Sequence, residues 1–96
     1  MRLLASDIKI IKESIYNYIT DATIMLFGSR VDDTKKGGDI DIFVQTNKNV
    51  TLKEQIKILT TMELQGILRK VDLVIEMPNS KKLSIFQTAK EEGILL

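Results

Sequence analysis

The chain has 96 residues, 44% apolar and 28% charged, with a formal net charge of +1. That suits one domain with a single modest core and the composition of an ordinary globular protein, not a disordered one. The near-neutral charge argues against an electrostatic grip on nucleic acid or an anionic membrane, and the absence of cysteine and histidine excludes disulfides, thiol catalysis and imidazole bases or ligands.

Any metal must therefore be held by oxygen, which favours magnesium, manganese or calcium. The opening MRLLASDIKIIK lacks the long apolar segment of a signal peptide. No run approaches a membrane span, so the expected location is the cytoplasm.

In chain order, SDIKIIKESIYNYIT predicts a helix. Leu4, Ile8, Ile11, Ile15 and Tyr18 recur at helical spacing, with Ser6 or Asp7 as N-cap. TIMLF reads as a strand ended by Gly28. The segment GSRVDDTKKGG follows; its first half suits a short helix, and Gly37 and Gly38 mark a turn. DIDIFVQT is the second strand, with Ile40, Ile42 and Val44 on one face and Asp39, Asp41 and Phe43 on the other.

TLKEQIKILTTMELQGILRK predicts the next helix, opened by a Thr51–Glu54 capping box. Leu52, Ile56, Leu59 and Ile67 share a stripe, into which Glu63 also falls. Either the helix breaks near Thr60–Thr61, the favoured reading, or that carboxylate faces a partner or a cleft edge. KVDLVIE is a third strand, closed by Pro78, and NSKKLSIFQTAKEEG a last helix with Ser80 as N-cap and Gly93 as C′ residue. The elements describe one α+β domain over residues 1–96. Its sheet is small and mixed, of three or more strands, with helices mainly on one face.

Asp39 and Asp41 carry the functional signal. At i and i+2 they point the same way, roughly 6.6 Å apart at a strand's rise of about 3.3 Å per residue. Aspartate is disfavoured in strands, and two nearby carboxylates repel. A divalent cation offsets both costs. Asp72 enters early in the third strand, again among apolar residues, and reaches the same cluster if the two strands are neighbours. The ordinary alternative is a strand-start Asp39 and a solvated Asp41. Gly28 permits close backbone approach to a phosphate and Ser29 offers a hydroxyl, although a strand-to-helix turn capped by Ser29 explains the pair as well. Arg30 is a candidate phosphate partner, with simple surface exposure as the alternative. Lys35 and Lys36 read as a solvated loop.

Taken together, FGSR, GGDIDIFV and KVDLVIE resemble the minimal nucleotidyltransferases of the DNA polymerase β superfamily. Their signature is a glycine–serine pair, a spacer, an aspartate–x–aspartate strand and a third aspartate on a later strand. The likeness spans Leu26 to Glu76 and implies a polymerase-β-like fold. It implies that Gly28 and Ser29, with Arg30, hold a nucleoside triphosphate. Asp39 and Asp41 would coordinate magnesium ions, and Asp72 would complete the catalytic set and help activate the attacking hydroxyl. Small stand-alone members of this kind are often antitoxins encoded beside a HEPN-domain toxin of the HepT type. Some transfer AMP from ATP to a tyrosine of that toxin. Two features depart from the pattern. The spacer between Ser29 and Asp39 is nine residues, slightly short. Asp32 stands where many members carry a second basic residue, and Asp33 follows it.

The expected reaction is an in-line displacement at the α-phosphorus of a nucleoside triphosphate, assisted by two magnesium ions. A chain this short has little room for an acceptor-binding domain, so the acceptor is expected from a partner or from a domain in trans. The rival expectations are a non-catalytic binding module on a degenerate transferase fold and a structural or DNA-binding domain. Near-neutral charge and the lack of a recognition helix count against the last.

Overall fold

The computed structural model describes residues 4–27, 39–81 and 83–96. In chain order its elements are α1 (Ala5–Tyr16), β1 (Thr23–Phe27), β2 (Ile40–Gln45), α2 (Leu52–Leu64), β3 (Val71–Glu76), α3 (Ser84–Glu92) and β4 (Ile94–Leu95). The strands form one sheet in the order β3-β2-β1-β4. β1 runs antiparallel to both β2 and β4, whereas β2 and β3 are parallel. The sheet is therefore mixed, as expected. The parallel pair requires a crossover, which α2 provides. The expected short helix after Gly28 and the Gly37–Gly38 turn lie outside the described residues.

Alternation along the strands sends two apolar sets to opposite faces. Ile24, Leu26, Ile40, Ile42, Val44 and Ile75 pack with Ile11 and Ile15 of α1 and Ile58 and Met62 of α2. Phe27 and Phe43 pack with Phe86 and Ala89 of α3, against Met25 and Val74. Thus two helices share one face and α3 lies on the other. The Phe43 and Phe86 rings meet at a centroid distance of 5.8 Å and 45°, a tilted pair that adds about 1 kcal/mol to the area it buries.

Several local expectations are corrected. The N-cap of α1 is Leu4, without a side-chain cap; Ser6 sits inside the helix, and Asp7 meets the helix dipole in the first turn instead. Leu4 is exposed and does not extend the Ile11–Ile15 stripe. α2 is unbroken through Thr60–Thr61. The expected capping box does form: Thr51 Oγ1 accepts from Glu54 N–H, and the Glu54 carboxylate accepts from Thr51 N–H. The buried residues of α2 are Ile58 and Met62, whereas Leu52 and Ile56 face solvent. Of the expected stripe, Leu52 and Ile56 thus miss the core, whereas Leu59 packs against it and Ile67, beyond the helix, is buried in it.

α2 stops in a Schellman arrangement, with Gly66 N–H donating to the Glu63 carbonyl and Ile67 N–H to that of Met62. Gly66 sits at φ 117°, a conformation that side chains resist. Glu63 is exposed and lines a surface hollow with Leu59, Met62, Ile67 and Arg69, so the cleft-edge alternative describes it. Ser80 caps no helix; its Oγ accepts from Met77 N–H in a turn, and α3 starts at Ser84 after Leu83. Gly93 is itself the cap residue of α3 with extended backbone. A Cβ there would meet the Ala89 carbonyl oxygen at 2.3 Å, so space, not a left-handed backbone, calls for glycine.

Candidate active site

The face of the sheet covered by α3 is built in rows. β2 pairs Asp41 with Phe27 of β1 on one side and with Asp72 of β3 on the other. The next row is Met25, Phe43 and Val74, and the last is Thr23, Gln45 and Glu76. α3 lies over the middle row through Phe86 and Ala89. It is tied to the last row by Lys90, whose Nζ is 2.8 Å from Glu76 Oε1. Glu76 also accepts from Gln45 Nε2 at 3.1 Å. The opposite end of the face is acidic: Asp39, Asp41 and Asp72 are all partly exposed there.

Strand pairing accounts for this grouping. Neighbouring strands lie about 4.8 Å apart, so the in-register Asp41 and Asp72 stand side by side. Asp39 is two residues before Asp41 and shares its side of β2. The sheet thus places the three predicted carboxylates at one end of one face, Asp72 from a segment far from the other two in sequence. Phe27, the last residue of β1, is the register partner of Asp41. Gly28, Ser29 and Arg30 follow it in sequence and lie outside the described residues, as do Asp32, Asp33, Lys35 and Lys36.

A cation already sits among these acids. Ile40 N–H donates to the Lys70 carbonyl at 2.9 Å, which fixes Lys70 beside Asp39. Lys70 Nζ lies 3.5 Å from Asp72 Oδ1 and 4.0 Å from Asp39 Oδ2. Lys70 is a neighbour of the acids that no sequence motif marks. Its signal was parity: two residues before Asp72 on a strand is the same face.

The other end of the sheet carries a polar clamp. Thr46 Oγ1 donates to Asp21 Oδ1, Asn47 N–H donates to Asp21 Oδ2 at 2.9 Å, and Lys48 N–H donates to Thr46 Oγ1 at 3.0 Å. Lys48 Nζ reaches both the Tyr18 carbonyl and Glu54 Oε2 at 2.7 Å. The Thr46 hydroxyl, then the Asn47 amide, hold the Asp21 carboxyl below its ordinary pKa. Lys48, then the Thr51 amide, do the same for Glu54. This clamp joins the α1–β1 and β2–α2 connections and α2.

Asp41 on β2, Asp39 just before that strand and Asp72 in register on the parallel neighbour give the arrangement implied by the sequence motifs. The family described as "Polymerase beta, Nucleotidyltransferase" matches residues 9–96. The chain belongs to this family. No curated protein matches it significantly. As a polymerase beta nucleotidyltransferase domain it has the α+β architecture and the mixed sheet described above, and its activity class is nucleotidyl transfer.

Members of this family generally use a nucleoside triphosphate with magnesium, and the donor atoms here are of the type that ion takes. The set is all oxygen, partly solvated, and close enough to a positive charge for Lys70 to stand in for a cation at two of its three members. Among the described residues no three acidic side chains converge as they would around a bound ion; Asp39 and Asp72 are turned to the ammonium instead. No helix among the described residues is long and apolar enough to cross a membrane.

Proposed function

We propose that this domain is a magnesium-dependent nucleotidyltransferase that moves AMP from ATP to a hydroxyl of a protein partner. We further propose that the acceptor is a tyrosine of a HEPN-domain toxin of the HepT type, so that the domain acts as an antitoxin. The observation that carries the enzymatic reading is the in-register pairing of Asp41 with Asp72, with Asp39 on the same face, in a chain of the nucleotidyltransferase family.

Asp39, Asp41 and Asp72 would hold two magnesium ions, which when bound supply charge stabilisation to the attacking and leaving oxygens of phosphoryl transfer. The protein's own share is positional and electrostatic. β2 and β3 present the carboxylates on a rigid edge, and α3 closes the face beyond them with Phe86 and Ala89. Gly28, Ser29 and Arg30 would take the triphosphate. The acceptor oxygen forms a bond to the α-phosphorus as the bond to pyrophosphate breaks, and Asp72 helps to take the hydroxyl proton. Exposed Leu52 and Ile56 on α2, with Leu64 and Leu68 at its end, support a protein partner by offering apolar surface.

A second reading is a binding module without catalysis. Asp32 and Asp33, just after Gly28–Arg30 in sequence, favour it, because negative charge there opposes a triphosphate. Incubation with α-labelled ATP, magnesium and a HEPN-domain partner separates the two. The enzyme labels the partner, and Asp39→Asn and Asp41→Asn each abolish labelling. Equal labelling by wild type and both variants would show the site assignment to be wrong. Complex formation with no label under any condition would favour the binding module.

A further inference from the structure

We infer that Lys70 is a built-in counter-ion of the carboxylate face, so that a divalent cation binds there by exchange with the lysine ammonium. This rests on the proposal above that Asp39, Asp41 and Asp72 hold the ion. Three aspartates on one face repel each other, and a fold that presents them needs positive charge when no metal is bound. Lys70 supplies it from a fixed backbone position. Its carbonyl accepts from Ile40 N–H at 2.9 Å, and its side chain shares a face with Asp72 by strand alternation. Nζ then spans two acids on neighbouring strands, 3.5 Å from Asp72 Oδ1 and 4.0 Å from Asp39 Oδ2.

The same contacts make the occupant easy to displace. The Lys70 side chain is 73% exposed, and both distances exceed those of tight charge-assisted hydrogen bonds. A flexible ammonium at the surface loses little on returning to water. A divalent cation bound directly by the carboxylates has twice the charge and shorter contacts. Lys70 thus does two things: it relieves acid–acid repulsion in the metal-free protein, and as a weak competitor it lowers the apparent affinity of the site for a divalent cation.

The test is titration with Mn²⁺ at low ionic strength without nucleotide, followed by the EPR signal of free Mn²⁺. Wild type, Lys70→Gln, Lys70→Arg and Asp72→Asn are compared, with thermal melting of each metal-free protein. Lys70→Gln should bind Mn²⁺ about twofold to fivefold more tightly than wild type, the scale of losing one surface ion-pair competitor. It should also melt lower than wild type without metal and gain more on adding Mn²⁺. Lys70→Arg should stay near wild type, and Asp72→Asn should lose binding. If Lys70→Gln and wild type share one Asp72-dependent affinity, the exchange idea fails while the carboxylate site stands. If Lys70→Arg tightens binding as much as Lys70→Gln, charge is not the cause and the idea fails again. If no protein binds Mn²⁺, the metal-site reading falls and takes the exchange with it.

Discussion

Asp41 and Asp72 matter because of what a strand does with a side chain at each step. Both replace residues that would otherwise extend the apolar patch of Phe27, Phe43 and Val74. Asp72→Asn should reduce nucleotidyl transfer by about a hundredfold or more, the scale of losing one charge-stabilising group. Its unfolding free energy should stay within about 0.5 kcal/mol of wild type, as for other partly exposed sites; activity and urea denaturation measured on the same sample check this. At the far end of the sheet, Asp21 gives a pH signature. Its carboxyl and that of Glu54 are held below their ordinary values by hydrogen bonds and Lys48. A depressed carboxyl stabilises the fold above its unfolded pKa, around 4, and that contribution is lost as pH falls through the lower folded value. Urea midpoints should therefore drop between about pH 4.5 and 3, and Asp21→Asn should flatten that drop while lowering the midpoint at pH 7.

At the scale of elements, α2 shows what was legible and what was not. Its start was readable, because a capping box is a local motif: Thr51 and Glu54 satisfy each other's backbone without help from the rest of the chain. Its buried face was not. Leu52, Ile56 and Leu59 share a helical stripe, yet only Leu59 reaches the core that holds Ile58 and Met62, and the sheet decides where that boundary falls. The prediction is sharp. Ile58→Ala should cost about 2–5 kcal/mol of unfolding free energy, whereas Ile56→Ala should change it by less than about 0.5 kcal/mol; chemical denaturation of both variants tests the phase.

The strands were easier to read. Alternation over DIDIFV fixes which side each residue takes, and this placed Asp39 and Asp41 correctly opposite Ile40 and Ile42. The neighbour relation of β2 and β3 was only conditional in the sequence, since register depends on long-range pairing. Lys70 is half legible: its partner Asp72 is only two residues away, whereas Asp39 lies thirty-one residues back in sequence and is reached only through the pairing of the strands. The fourth strand, β4, has only two residues, too few for any periodicity. It exists because β1 has a free edge to offer Ile94 and Leu95.

For the whole molecule, the two faces of the sheet differ in strength. Among the described residues, α1 and α2 close a cluster of fourteen buried apolar residues, whereas α3 rests on one of four. Cooperative units with fewer buried contacts open at lower free energy. Amide hydrogen exchange should therefore show α3 losing protection before α1 and α2. Phe86→Ala should widen that gap, exposing α3 amides without equal loss in α2. Because α3 also roofs the face that carries the acids, its opening should loosen the site before the domain unfolds.

The parallel pairing of β2 with β3 has a consequence for folding order. Asp39 and Asp41 arrive together on one strand, but Asp72 is delivered only after α2 has crossed over and β3 has zipped alongside in register. That contact spans thirty-one residues of chain, and contacts of such separation form slowly because the intervening loop must close first. The site is thus absent from any partly folded chain that has only its local elements. If Asp39, Asp41 and Asp72 have the roles proposed above, a domain that has failed to complete its sheet would hold two of the three acids and would not transfer a nucleotide. On the proposed roles, activity would report a completed sheet.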